Sequence, residues 1–327
     1  MEAVQLGDCA AFPGRPDGSA RESVGIRRAV PFPPGHQEKS QFLQSRDTIR
    51  PMTMPVVTRL RDLWSARELL RNLVAKELKV RYKQSALGFA WSLLTPLMMT
   101  AIFTVVFATF LRINVEDFAT FFLAGYLVWQ FFSNSVNSAV GAIVGNGPLI
   151  RKVWFPREVL PLSLVLSQAV HLLLALLATS GLFWLQRGNF LPYLPAVLLG
   201  LILLVLFTAG MSMIFAAANV GFRDLQELTQ VIFLAWFYAT PVIYPLAFVE
   251  ANAPWALPVI RANPMTWFVE LFQASLYGAG AGTPGASLPP GWPHPRTILV
   301  CAGFALVTFA VGYSLFHRWA VNFAKEV

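Results

Sequence analysis

An all-α integral membrane protein is the fold class this sequence predicts, and three features predict it. Of the 327 residues, 56% are hydrophobic and 13% charged, with a mean hydropathy of +0.56. A soluble domain carries about 25% charged residues. Six apolar runs, residues 87–111, 118–144, 159–185, 191–219, 228–249 and 297–316, each reach the ~20 residues a helix needs to cross a ~30 Å hydrocarbon core. A basic amphipathic stretch, residues 59–83, stands directly before the first run.

In chain order, residues 1–58 hold seven prolines and seven Arg/Lys without an apolar run. They form neither a secretory signal nor a core, and a disordered tail is expected. In residues 59–83, Leu60, Leu63, Trp64, Leu70, Leu73 and Val74 recur at helical spacing. Arg67, Arg71, Lys76, Lys79, Arg81 and Lys83 lie on or near the other side, which predicts a helix in the membrane interface with its cations at anionic headgroups. Residues 84–327 then form a six-span domain. Pro96 and Pro241 fall inside spans, where they bend a helix but are tolerated.

The basic residues set the orientation. If residues 59–83 face the cytoplasm and the spans alternate, fourteen Lys/Arg lie inside and four, Arg112, Arg187, Arg261 and Arg296, lie outside. That asymmetry predicts a multi-pass protein of the cytoplasmic membrane with both termini in the cytoplasm. The external segment 250–296 contains Asn263-Pro264, a good helix start, followed by the apolar 265–277, which is too short to span. With the apolar 254–260 before it, two short re-entrant helices are expected ahead of the last span.

Several kinds of chemistry are excluded. The two cysteines, Cys9 and Cys301, have neither metal-ligand spacing nor a disulfide setting. His171 is the single ionisable side chain found in the runs, so there is little machinery for ion coupling. The chain holds no GxxxxGK[ST] loop and so does not hydrolyse ATP by that route. A GxGxxG match at 280–285 follows a short apolar helix and precedes Pro-Pro, which makes it a loop and not a dinucleotide site. Glu250 and Glu270 read as isolated external acids that either line a pore vestibule or, the favoured reading, are simply solvated. Neither an enzyme nor a nucleic-acid partner is indicated, and no cofactor or metal is expected on this chain.

Two features point towards transport. The inner loop 145–158, with flanking sequence GNGPLIRKVWFPREVLPLS (145–163), gathers Arg151, Lys152 and Arg157 around an apolar Trp154-Phe155-Pro156. It reads either as a docking element for a separate motor protein or as a basic loop that only orients its neighbours. A second inner loop carries Arg223 and Asp224. Aromatic clusters lie deep in the second run (Trp129, Phe131, Phe132) and the fifth (Trp236, Phe237, Tyr238). Sugars stack on such rings, so Trp129, Phe132, Trp236 and Tyr238 are candidate pore-lining residues; ordinary helix packing also explains them.

Four stretches carry a family resemblance: RYKQSALGFAW (81–91) leading to LTP (94–96), LIRKVWFPRE (149–158), FRD (222–224) leading to TPVIYP (240–245), and NP (263–264). Over residues 59–324 the chain resembles the permease subunits of ABC-type polysaccharide exporters, which move O-antigens, teichoic acids and capsular polymers. The resemblance implies a homodimer of six-span subunits with the pore between them, two copies of a separate ABC ATPase that binds ATP and Mg, and a lipid-linked polysaccharide as substrate. It also implies a coupling role for Leu149, Arg151, Lys152, Trp154, Phe155, Pro156 and Arg157. Where the family often places an arginine after Asn-Pro, this chain reads ELFQ (270–273). An ABC permease for a drug or lipid, and an ATP-independent flippase for polyprenyl-linked sugars, are the alternative readings.

Overall fold

The structure is a computed structural model that describes residues 66–82, 90–112, 115–152, 155–278 and 289–326. The tail, residues 59–65 and 83–89, Trp154 and the glycine-rich part of the outer loop lie outside the described residues. Among the described residues every regular element is helical.

Helix α1 (Arg67–Tyr82) covers most of the amphipathic stretch. Leu69, Leu70, Leu73, Val74 and Leu78 are half-buried, while Arg71, Lys76 and Lys79 are exposed. Its apolar face packs on α6 (Val159–Arg187), so a neighbouring helix covers part of that stripe. Helix α2 (Ala90–Phe103) continues as a wider π-helical segment, Thr104–Phe110, and leaves Leu97, Met98, Ile102 and Phe110 exposed. Helix α3 (Phe118–Val140) is the centre of the bundle, with Phe121, Phe122, Leu123 and Phe132 fully buried. Two short helices, α4 (Ala142–Gly145) and α5 (Gly147–Lys152), lead to α6. Then follow α7 (Leu194–Gly221), α8 (Leu225–Tyr238), α9 (Leu246–Asn252), α10 (Leu257–Ala262), α11 (Pro264–Leu276) and α12 (Pro295–Glu326).

Among the described residues four helical stretches are long and apolar enough to cross a membrane: Leu93–Phe110, Val159–Arg187, Leu191–Gly221 and Pro295–Ala320. Six were expected. Helix α3 has the length, 23 residues, but Gln130, Ser133, Asn134, Asn137 and Ser138 lower its hydropathy. The fifth run departs further from expectation. Instead of one helix over 228–249, α8 ends at Tyr238, residues 239–245 turn, and α9 begins at Leu246. Pro241 and Pro245 supply no amide hydrogen, so an unbroken helix would lose two bonds there. Thr240, Pro241, Val242 and Ile243 are buried in protein, a setting in which irregular backbone is tolerated at membrane depth.

Helices α7 and α12 approach until their backbones touch. A Cβ added to Gly312 would lie 2.2 Å from the Gly210 carbonyl oxygen, and one added to Gly210 would lie 2.5 Å from that of Thr308. Small residues allow such close approach in membrane bundles.

The far ends of α3, α6 and α11 are held by Arg187, whose side chain is 4% exposed. Its Nε donates to the Tyr277 carbonyl at 2.9 Å, its Nη1 pairs with Asp117 at 3.3 Å, and its guanidinium lies 4.0 Å from the Tyr277 ring centroid. The Tyr277 hydroxyl donates to the Glu116 carbonyl at 2.6 Å. Asp117 adopts φ 47°, which a short polar side chain tolerates. Arg187→Met keeps the stem and removes the donors and the charge. It should cost about 2 kcal/mol, as expected for losing the hydrogen bonds of a buried charged donor whose carboxylate partners are partly exposed. A drop in melting temperature in detergent would show it, and an unchanged value would mean the cluster is incidental.

Candidate functional site

The first candidate site is the end of the bundle where α3 finishes and α6 begins. Asn146 accepts through its carbonyl from the amides of Leu149 (3.0 Å) and Ile150 (3.1 Å), which closes the single turn of α5. Ile150 is buried and Leu149 half-buried against Ile143, Leu160, Met213 and Phe316, so the turn is pinned by one face. Arg151 and Lys152 end the helix, where cations suit the dipole, and both are exposed.

The remainder of the motif packs onto the bundle. Phe155 and Pro156 are half-buried, with Phe155 packed on the same cluster. The Arg157 Nη1 donates to the Ala320 carbonyl on α12, and Glu158 Oε1 lies 3.7 Å from His317 Nδ1. Arg157 is therefore a tie to the last helix and is half-buried, where the other two cations are exposed. Trp154 lies outside the described residues. Phe222, Arg223 and Asp224, at the turn between α7 and α8, are exposed. The two turns lie at the same end, since Gly141 faces the Gln226 side chain.

The second candidate is a cleft of about 910 Å³ walled by α2, α3, α6 and α8. Trp129 and Tyr238 line it; Phe132 and Trp236 do not. Phe132 is fully buried between Phe207 and Phe233. Trp236 turns its indole N–H away to Asn263 Oδ1 at 2.8 Å, where it serves packing. Trp91, Tyr126 and Phe131 supply further rings to the wall. Its polar face is a ladder of amides and hydroxyls on α3, with Gln168 and His171 opposite on α6 and Gln230 on α8. A smaller adjoining cavity of about 340 Å³ shares Ser138, Gln168 and His171 and reaches α1 at Glu77.

The family model described as ABC-2 type transporter matches residues 68–277, which run from α1 to the end of α11. The chain belongs to the ABC-2 type transporter family. Among its relatives, the O-antigen export system permease protein RfbA of Myxococcus xanthus is 32% identical over 272 residues, 82% of this chain and 98% of that relative. RfbA of Klebsiella pneumoniae is 32% identical over 79% of this chain and 94% of its own. The polysialic acid transport protein KpsM of Escherichia coli is 24% identical over 75% and 91%. These relatives are transport proteins, and this ABC-2 family member is a multi-pass membrane permease and not an enzyme.

In this permease Glu250 and Glu270 are not isolated, contrary to expectation. Glu250 pairs with Arg261 at 3.0 Å, and Thr297 donates to Glu270 at 3.4 Å. Burial pushes the Glu270 carboxyl above its usual range, against the pull of Arg261. Gln273, in the segment where the family often has arginine, donates to the Phe121 carbonyl at 3.4 Å and joins α11 to α3. Sequence reasoning also missed the polar ladder. Its signal was present as Gln130, Ser133, Asn134, Asn137 and Ser138, spaced three to four apart on one face.

Proposed function

We propose that this permease is the transmembrane subunit of an ATP-driven exporter that carries a lipid-linked polysaccharide across the cytoplasmic membrane. The cleft carries the reading: rings on which sugars stack stand beside amides that match sugar hydroxyls. The relatives' names, O-antigen export and polysialic acid transport, support the same cargo class.

In this reading α3, and α8 together with the buried turn 239–245, bring the crossings to six. The polar side chains of α3 face the cleft instead of lipid. Helices α9 to α11 are re-entrant elements on the outer side, and the positive charge places both termini in the cytoplasm. Trp91 on α2 and Leu234 and Tyr238 on α8 leave one side of the cleft rimmed by exposed apolar surface, which a second copy covers to form a homodimer with the path between subunits. Two copies of an ABC ATPase, which hold ATP and Mg, dock at Arg151, Lys152, Arg223 and Asp224. Leu149 and Phe155 seat the loop on the bundle, and Arg157 and Glu158 pass its movement to α12.

Co-expression with a candidate partner ABC ATPase from the same genome tests the reading. The wild type should retain the ATPase through purification. A double variant, Arg151→Ala with Lys152→Ala, should retain about a tenth or less, as expected when interfacial charges are removed. Arg157 is left in place because it holds α12. Failure of the wild type to retain the ATPase with any nucleotide would sink the exporter reading.

A further inference from the structure

We infer that the cleft selects a polysaccharide whose repeat units are uncharged. The inference rests on the reading of the cleft as the glycan path and specifies its cargo. Among the described residues that line it there is no Lys, Arg, Asp or Glu. Its polar groups are carboxamides, Gln130, Asn134 and Asn137 on α3, Gln168 on α6 and Gln230 on α8, supplemented by hydroxyls. The side chains of Gln130, Asn134 and Gln230 make no hydrogen bond to another described residue, and Asn137 uses one N–H, to the Ser133 carbonyl at 2.8 Å.

A carboxamide offers donor and acceptor side by side, the same pair that a sugar hydroxyl offers. A carboxylate on the sugar only accepts, so it would meet amide oxygens and the negative faces of Trp91 and Trp129 as well as donors. Taken out of water with no cation opposite, it would also lose hydration that the wall does not replace. Pores for anions and phosphate are ringed by Arg or Lys instead. Among the described residues that line the adjoining cavity the charged one is Glu77, whose carboxylate repels an anion. His171 adds a single imidazole to the α6 wall, and one such group is not a ring of fixed cations.

A matched pair of probes tests this: oligogalacturonate, and the same oligomer with its carboxylates reduced to hydroxymethyl groups. Equilibrium binding of each is measured on the full-length protein in nanodiscs at physiological salt. The reduced oligomer should bind about tenfold or more tightly than the acid form. Asn137→Lys and, on the exposed face of α8, Gln230→Lys should each move the ratio towards the acid. Two lysine sites guard against one variant failing to fold. If the wild type binds the acid form as well as or better than the neutral one, the selectivity inference falls while the glycan path stands. If the lysines leave a measured preference unchanged, the preference does not arise in the cleft and the inference falls likewise. If wild type and variants bind neither oligomer, the cleft is not a glycan path and both readings fall.

Discussion

Gly312→Ala should destabilise the protein by about 3 kcal/mol, the upper part of the range for forcing an extra methyl group into closed packing. The added carbon would stand 2.2 Å from the Gly210 carbonyl oxygen and 2.9 Å from the Gly210 Cα. Those atoms are backbone, so no side-chain rotation relieves the clash and α12 must shift away from α7. The shift would reach Arg157 and Glu158, which hold the C-terminal end of α12, so loss of retained ATPase should accompany loss of stability. Gly303→Ala is the control, because a Cβ there meets nothing within 4 Å on the same helix. Melting in detergent, followed by size-exclusion profile, measures both. A Gly312→Ala protein melting within about 2 °C of wild type would show that the helices are not in backbone contact.

Asn263→Ala should cost a comparable ~3 kcal/mol, because it strands several groups at once. The Asn263 Oδ1 accepts from the Trp236 indole at 2.8 Å and from the Met265 amide at 3.0 Å. Its Nδ2 donates to Thr240 Oγ1 at 2.9 Å and to the Ala239 carbonyl at 3.3 Å. One side chain thus caps α11 and satisfies the end of α8 where the helix breaks. Asn263→Asp keeps both acceptor bonds and loses both donors, so it should fall between wild type and alanine. Combining Asn263→Ala with Trp236→Phe should cost less than the sum of the two, since both remove the same bond. Strict additivity would mean that Asn263 acts only as a helix cap.

The elements readable from sequence were those set by local rules. The long runs that became α6, α7 and α12 announced themselves by length and apolarity, and Asn263-Pro264 announced a helix start by its capping chemistry. Of the four candidate pore-lining rings, Trp129 and Tyr238 line the cleft, yet Phe132 and Trp236, beside them in the chain, were not distinguishable from them. Neighbouring aromatics on one helix differ only in the direction they face, and that direction is set by what packs opposite. The break at residues 239–245 was hidden for a similar reason. Its prolines were visible, but the amide that stabilises the broken end comes from a residue more than twenty positions further along.

Composition and periodicity by themselves determined that this chain is a helical membrane protein, because transfer of apolar side chains from water is additive along a sequence and needs no knowledge of neighbours. Charge counting favoured one orientation on the same footing. Only the tertiary structure decided which cations of the loop 145–158 are exposed and which one holds α12, and that the amides of α3, α6 and α8 line one cleft with the rings. Hydrogen bonds and close packing are directional and short-ranged, so their partners exist only once distant segments are brought together.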